Sequence, residues 1–167
     1  MKHMLIALVL LATLGQALAA PLPKGAQKDQ PITIKSNELS SDSKSRTATF
    51  SGKVIARQGD LTIYADRLVV YYKEAGGDVD KVETSGNVRI VQGDRLATAR
   101  EGVYFSTEQK IVLTGDPKVF QGENTVTGKV ITYYVNEEKS VVTGGPETRV
   151  EAVIHPKDKA KDGGAQR

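Results

Sequence analysis

The sequence contains no cysteine and no tryptophan, and its only histidines are His3 and His155. The lack of cysteine excludes a disulfide framework, and the scarcity of histidine excludes a His/Cys metal cluster in the folded part. A Ser/His or Cys/His nucleophile pair is excluded for the same reason. We therefore predict a protein that is not an enzyme, has no metal or cofactor, and derives its stability from backbone hydrogen bonds and an apolar interior.

Charges of both signs are interspersed along the chain and nearly cancel. Lys and Arg number 23 and Asp and Glu number 20, which gives a formal net charge of +3. A nucleic-acid-binding surface needs clustered basic residues and stacking aromatics, whereas aromatics make up only 5% of this chain. We expect no nucleic-acid partner, and the length of 167 residues suits a single domain.

The amino terminus has the organisation of an export signal. Lys2 precedes an apolar run over residues 4–14, and Ala17-Leu18-Ala19 forms a small-x-small cleavage site. Because a bilayer-spanning helix needs about 20 apolar residues, an uncleaved anchor is the weaker alternative. We predict a cleaved signal peptide at 1–19, a flexible leader at 20–31, a folded domain at 32–154 and a flexible charged tail at 155–167.

Glycine marks an internal repeat. Gly52, Gly86 and Gly115 are spaced 34 and 29 residues apart, and each is followed seven residues later by a second glycine. A fixed period of this size predicts a stack of small supersecondary units, each of which buries its apolar face only against its neighbours. The longer first interval predicts a longer hairpin turn at residues 73–78. The second glycines lie in Gln58-Gly59-Asp60, Gln92-Gly93-Asp94 and Gln121-Gly122-Glu123.

Apolar residues alternate on both sides of each opening glycine, which predicts β-strands with one face toward an interior. Glycine on the inward row predicts that each long strand bends there. The alternation then breaks between Ala65 and Leu68, and we predict a β-bulge in the second strand of each hairpin. The array begins and ends within a repeat, so both ends should present unpaired sheet edges. Such edges make head-to-tail self-association a hypothesis.

Two sets of side chains are candidates for a function. Asp60, Asp94 and Glu123 recur with the repeat and could form the carboxylates of a carbohydrate-active β-solenoid. The stronger interpretation is that each acid binds backbone donors of its own tight turn. Tyr104 and Tyr133 lie on the inward row, where their hydroxyls require partners or an opening.

The repeat resembles the periplasmic lipopolysaccharide transport protein A family, also called the organic solvent tolerance A-like family. The resemblance extends from Ile32 to about Ile154. It rests on the order and phase of four segments: Phe50-Ser51-Gly52-Lys53-Val54, Leu61-Thr62-Ile63-Tyr64-Ala65-Asp66-Arg67-Leu68, Leu113-Thr114-Gly115 and Lys129-Val130-Ile131-Thr132-Tyr133.

The resemblance implies an all-β, single-domain twisted β-jellyroll, a solenoid-like stack of antiparallel strands that is open along one side. It implies a periplasmic carrier that shields the acyl chains of lipopolysaccharide and bridges the inner and outer membranes. The amino-terminal edge would meet an inner-membrane-anchored partner, and the carboxy-terminal edge the periplasmic domain of the outer-membrane translocon. Alternatives are the anchored partner itself, which has the same fold, and a periplasmic scaffold that binds no ligand.

The predicted lipid-binding groove consists of the large inward residues. Ile32, Ile34 and Tyr104 correspond by position to lipid contacts of the family, and the others follow from periodicity alone. The complete set is Ile32, Ile34, Leu39, Phe50, Val54, Ile63, Leu68, Val70, Val88, Ile90, Tyr104, Ile111, Leu113, Val126, Ile131 and Tyr133.

Overall fold

The computed structural model describes residues 30–74 and 77–156. The predicted signal peptide, the leader up to residue 29 and the tail from residue 157 lie outside these residues. The described part consists of strands and turns, and none of it is a helix long and apolar enough to cross a membrane. Its twelve strands are β1 Thr33–Lys35, β2 Glu38–Asp42, β3 Thr47–Gln58, β4 Leu61–Tyr72, β5 Val79–Gln92, β6 Arg95–Phe105, β7 Lys110–Thr114, β8 Lys118–Gln121, β9 Asn124–Thr127, β10 Val130–Tyr134, β11 Lys139–Thr143 and β12 Glu151–Val153.

All twelve strands belong to one antiparallel sheet that is folded into two halves. The long strands β3 to β6 cross the bend and contribute to both halves, whereas the shorter strands belong to one half each. Half-sheet I has the order β1-β3-β4-β5-β6-β8-β9-β12, and half-sheet II has the order β2-β3-β4-β5-β6-β7-β10-β11. This arrangement confirms the predicted all-β stack of antiparallel strands.

The bend lies at the opening glycines, as predicted. Gly52 and Gly86 have φ angles of 78° and 76°, and the residues after them, Lys53 and Asn87, are also left-handed at 49°. The position of the extra residue was predicted wrongly. Gly52 and Lys53 together lie opposite the single residue Asp66, so the bulge belongs to the glycine-bearing strand rather than to the second strand of the hairpin.

The third repeat differs from the first two because its strands are interrupted at the bend. The alternation on both sides of Gly115 predicts one strand, but the structure divides this segment into β7 and β8. Gly115 and Asp116 are left-handed there, and Pro117 has no N–H to donate to a ladder. The following strand is likewise divided into β9 and β10. Both halves of each divided strand nevertheless keep their places in the two half-sheets.

Two rows of turns form the margins of the folded sheet opposite the bend, and we call the gap between them the mouth. Along half-sheet I, Gly59, Gly93 and Gly122 have φ angles of 56–58° at the first position of two-residue loops, the conformation of a type II′ turn. Along half-sheet II the turns are longer, and the one between β4 and β5 has the predicted additional length. The turns of half-sheet II cover residues 43–46, 106–109 and 135–138, and between β4 and β5 the described residues are 73, 74, 77 and 78.

The interior between the half-sheets contains two clusters of buried apolar side chains. Each cluster contains residues from both half-sheets, so the two halves pack against each other. The first contains Val54, Ala56, Leu68 and Val70. The second contains Ala65, Val88, Ile90, Ala97, Leu113, Val119, Ile131 and Tyr133.

Both ends of the described stack present strand edges. At the amino-terminal end β1 and β2 pair only with β3, and at the carboxy-terminal end β11 pairs only with β10 and β12 only with β9. The predicted unpaired edges are therefore present in residues 30–74 and 77–156.

Candidate functional site

The predicted groove residues form inward rows that run across the strands, because residues paired in register share one face of a sheet. The row of half-sheet I is Ile34, Ala56, Ile63, Ile90, Ala97, Val119 and Val126. The two rows of half-sheet II are Leu39, Phe50, Leu68, Thr84, Gly102, Leu113 and Ile131, and, nearer the mouth, Ala48, Val70, Val82, Tyr104, Ile111 and Tyr133. Val54 and Val88 lie beside the bend, opposite Ala65 and Ala99.

Burial of these residues increases from the amino-terminal end toward the centre. Ile32 and Leu39 expose 62% and 59% of their surface, because the end of the stack lacks a further neighbouring strand. Six further residues are partly buried, namely Ile34, Phe50, Ile63, Tyr104, Ile111 and Val126. Eight are buried in the core, namely Val54, Leu68, Val70, Val88, Ile90, Leu113, Ile131 and Tyr133. Apolar surface is thus accessible at the amino-terminal end, whereas the centre is filled by side chains of the chain itself.

A second exposed apolar surface lies at the carboxy-terminal end and was not singled out from the sequence. Val150, Val153 and Ile154 are exposed by 44–45%. The apolar composition of residues 150–154 was the available signal, but the segment is short and lies in an incomplete repeat. Both ends of the stack therefore combine strands that have one unpaired edge with exposed apolar side chains.

The two inward tyrosines lie next to the mouth, where sequence reasoning predicted a need for hydroxyl partners. The Tyr104 hydroxyl accepts a hydrogen bond of 2.9 Å from Nε2 of Gln109, a residue of the adjoining turn. Tyr133 is only 1% exposed, and burial raises the pKa of its hydroxyl. The nearby Glu138 carboxylate raises that pKa further, while Arg95 acts in the opposite direction.

The recurring acids occupy one margin of the mouth. Asp60, Asp94 and Glu123 are exposed in the three tight turns of half-sheet I, and Asp60 Oδ1 accepts a 2.9 Å hydrogen bond from Gln92 Nε2. Successive turns are two strands apart, which corresponds to roughly 10 Å at the usual strand spacing. Glycosidase carboxyl pairs are about 5–9.5 Å apart, so this arrangement favours a structural role for the acids.

The outer face of half-sheet II has a regular row of cations and aromatic rings that sequence reasoning did not identify. The ammonium groups of Lys81, Lys110 and Lys139 lie 4.3, 4.9 and 5.9 Å from the ring centroids of their neighbours on the adjacent strands. Each contact is a cation–π interaction that stabilises strand pairing. In register order the row is Tyr71, Lys81, Phe105, Lys110, Tyr134 and Lys139.

Sequence comparisons connect this architecture to a known family. The profile described as LptA/(LptD N-terminal domain) LPS transport protein matches residues 33–139. An uncharacterized protein of Rhizobium meliloti strain 1021 is 36% identical over 115 residues, which cover 64% of this chain and 61% of that protein. The lipopolysaccharide export system protein LptA of Escherichia coli K12 is 40% identical over 72 residues, which cover 41% of this chain and 38% of that protein. The matched segments thus span less than two thirds of either relative.

A solved structure has the same fold. It is the crystal structure of LptH from Pseudomonas aeruginosa, described as the LptA homologous periplasmic component of the conserved lipopolysaccharide transport device. The TM-score is 0.68 at 22% sequence identity, and the match covers 78% of this chain and 99% of that chain. The likeness shows the β-jellyroll fold, and the sequence profile extends over more than half of the chain. The chain therefore belongs to the LptA/(LptD N-terminal domain) family of LPS transport proteins.

Proposed function

We propose that this protein is a periplasmic lipopolysaccharide carrier that shields acyl chains between its two half-sheets and bridges the inner and outer membranes. The observation that carries the proposal is the inward row of half-sheet I, in which seven consecutive strands contribute an apolar residue, from Ile34 to Val126. At the usual strand spacing this row extends over roughly 29 Å. Each methylene that a lipid buries there contributes about 0.8 kcal/mol, so binding requires no catalytic group.

The first contacts with lipid are proposed at the amino-terminal end of the stack. Ile32 and Leu39 are exposed there, and Ile34 and Phe50 are only partly buried. Further along, the buried side chains of the two half-sheets already contact each other. An acyl chain can enter that region only if the half-sheets separate at the mouth, since the bend joins them covalently on the other side.

The strand edges are the proposed sites of assembly. The amino-terminal edge would receive an inner-membrane-anchored transport partner, and the carboxy-terminal edge the periplasmic domain of the outer-membrane translocon. Copies of this chain would associate head to tail through the same edges. The proposal is supported by the unpaired strand edges at both ends and by the exposed apolar residues beside them.

Photo-crosslinking that compares neighbouring residues on opposite faces tests the lipid-binding proposal. A photoreactive residue at Ile34 or Tyr104 should label purified lipopolysaccharide, because both positions point inward. The matched controls are Lys35 and Phe105, the next residues on the same strands, which point outward and should give little labelling. Equal labelling at inward and outward positions would contradict the proposal and favour a scaffold whose packed interior binds no lipid.

Fractionation distinguishes the soluble carrier from the membrane-anchored partner of the same fold. We expect the mature protein in the periplasmic fraction, with a mass that corresponds to cleavage after Ala19. Recovery of the uncleaved chain in the inner-membrane fraction would instead identify it as the anchored partner.

A further inference from the structure

The outer face of half-sheet I carries cations that are not balanced by acids. Its two outward rows contain Lys35, Arg57, Arg89 and Lys118, and the only acid in these rows is Glu151. All four cations are exposed. They come from four separate strands, β1, β3, β5 and β8, so the sequence order does not show them as a cluster.

Three of these cations lie in one line, which we call the basic row. Residues that are paired in register carry the line from β1 through β3, β4, β5 and β6 to β8, over roughly 24 Å at the usual strand spacing. The members of the basic row are, in order, Lys35, Ile55, Tyr64, Arg89, Thr98 and Lys118. The line therefore runs along the axis of the stack, across the strands.

The cations of the basic row are not neutralised within the part of the chain that the structure describes, since none of them forms an ion pair there. The guanidinium of Arg89 lies 5.5 Å from the ring centroid of Tyr64. This cation–π contact orients the charge without cancelling it. On the other outer face, by contrast, Lys81 pairs with Glu83 at 2.6 Å.

The outer face of half-sheet II has the same number of cations but a balanced charge. Its outward rows combine the cations Arg67, Lys81, Lys110 and Lys139 with the acids Glu38, Asp42, Glu83 and Glu101. Positive charge is thus concentrated on one of the two outer faces, and the other face provides a matched comparison.

The surroundings of the basic row favour a narrow anionic partner over a flat anionic surface. Exposed acids flank the row on both sides, namely Asp60, Asp94 and Glu123 in the turns and Asp66 and Asp116 at the bend. A flat anionic surface would meet these acids as well as the cations. A linear chain can lie along the cations alone, because screening in salt confines the repulsion to about 10 Å.

We propose that the basic row binds a linear glycan whose side groups carry carboxylates, the chemistry of the wall polymer of the periplasm. An extended β-1,4-linked glycan advances by about one strand spacing per sugar, since that spacing is roughly 4.8 Å. Carboxylates along such a chain therefore reach Lys35, Arg89 and Lys118 in turn. The contact leaves the mouth and both strand edges free, because the row lies on an outer face. It does not require acyl chains in the interior.

Two polymers that differ only in charge test the inference. The full mature protein is titrated with β-1,4-linked polymannuronate, which has a carboxylate on each sugar, or with its neutral methyl ester. Three exposed ion pairs correspond to roughly a tenfold tighter binding of the carboxylated polymer, and the difference should shrink as salt is added. Purified wall sacculi should likewise sediment the protein at low salt. Equal binding of the two polymers, or no binding to sacculi, overturns the inference.

Variants with equal losses of charge locate the contact. Lys35→Gln/Arg89→Gln/Lys118→Gln should weaken binding to polymannuronate and to sacculi by roughly tenfold. The control Lys44→Gln/Arg67→Gln/Lys139→Gln removes the same charge on the side of half-sheet II and should have little effect. Similar losses in the two triple variants overturn the assignment to the basic row.

Vesicles of phosphatidylglycerol distinguish a membrane surface from a glycan. Tighter binding to these vesicles than to sacculi, lost in the variant of the basic row, overturns the glycan as the partner. All six substituted residues are exposed, and melting temperatures check that both variants fold. If the variant of the basic row does not fold, the comparison of the two polymers on the unmodified protein still decides the inference. Failure leaves the proposed lipid carrier intact, because crosslinking of lipopolysaccharide at Ile34 tests that function separately.

Discussion

The side chain of Asp66 lies directly against Gly86 at the bend, where a β-carbon on Gly86 would stand 2.8 Å from the Cβ of Asp66. The φ angle of Gly86 is +76°, which L side chains rarely adopt. Asn87 then donates a 2.8 Å hydrogen bond from Nδ2 to Asp66 Oδ2. Glycine is therefore required at the bend for two separate reasons, the backbone conformation and the space taken by the neighbouring side chain.

Replacement of this glycine separates the two reasons. Gly86→Ala should lower the free energy of unfolding by roughly 3 kcal/mol, since a strained φ angle and an overpacked contact each cost about 1–2 kcal/mol. Gly93→Ala is the matched control, because Gly93 is also left-handed at +58° but has open space around it. We expect a loss of about 1 kcal/mol there. Chemical denaturation measures both, and equal losses would contradict the packing argument.

Truncation of two inward leucines tests the gradient of burial along the interior. Leu113 is 1% exposed, so Leu113→Ala should cost about 2–5 kcal/mol of unfolding free energy through the cavity it leaves. Leu39 occupies the same inward row but is 59% exposed, and Leu39→Ala should change stability by less than about 0.5 kcal/mol. Thermal or urea unfolding gives the comparison. A similar loss in both variants would show that the amino-terminal end is packed against something in solution.

The carboxylate of Glu83 should make stability depend on pH. Its hydrogen bond from Lys81, 2.6 Å long, lowers the pKa of Glu83 below the ordinary value of 4.5, and a hydrogen bond from Tyr71 acts in the same direction against the effect of burial. A lowered folded-state pKa stabilises the protein above pH 4.5, and this contribution is lost as the pH falls through the folded-state value. The melting temperature of Glu83→Gln should therefore lie below that of the unmodified protein at pH 7, and the gap should close below pH 4.5.

The exposed Glu137 provides the control for this titration. Glu137→Gln should leave the dependence of the melting temperature on pH unchanged. A gap for Glu83→Gln that stays constant from pH 7 to pH 3 would show that the substitution acts through packing rather than through ionisation. The effect should be modest, about 0.5 kcal/mol, because the Lys81–Glu83 pair is about one third exposed.

Charge at the amino-terminal edge should reduce head-to-tail association. Leu39→Lys places an ammonium group on an exposed apolar position of the edge strand β2, and charged residues on edge strands oppose the addition of further strands. Light scattering over the micromolar range should show smaller assemblies than those of the unmodified protein. Glu38→Lys, which changes the adjacent exposed residue on the opposite face, is the control for a general charge effect. If the unmodified protein is monomeric at every concentration, the self-association proposal is wrong.

The inward orientation of the candidate groove residues could be predicted because its signals are local. Period-2 alternation established which residues of each strand face inward, since successive side chains point to opposite faces of a sheet. The inward rows that contain Ile34, Leu68 and Tyr104 follow from this alternation, and the bends follow from glycine. The burial of Gln92 was missed because this residue appears in the sequence as an ordinary polar residue beside a turn. Its position on the inward face leads to burial only because the folded sheet covers it.

The sequence by itself determined the repeat, the strand faces and the bend positions, because backbone conformation at glycine and the alternation of side chains are properties of neighbouring residues. Tertiary structure alone decided which strand carries the extra residue at each bulge, since a bulge is defined by the partner strand. It also decided that Tyr133 is fully enclosed while Leu39 is exposed on the same inward side. The burial of a side chain depends on how many further strands are stacked beside it. It also depends on which side chains of the opposite half-sheet pack against it. Neither can be read from a local sequence pattern.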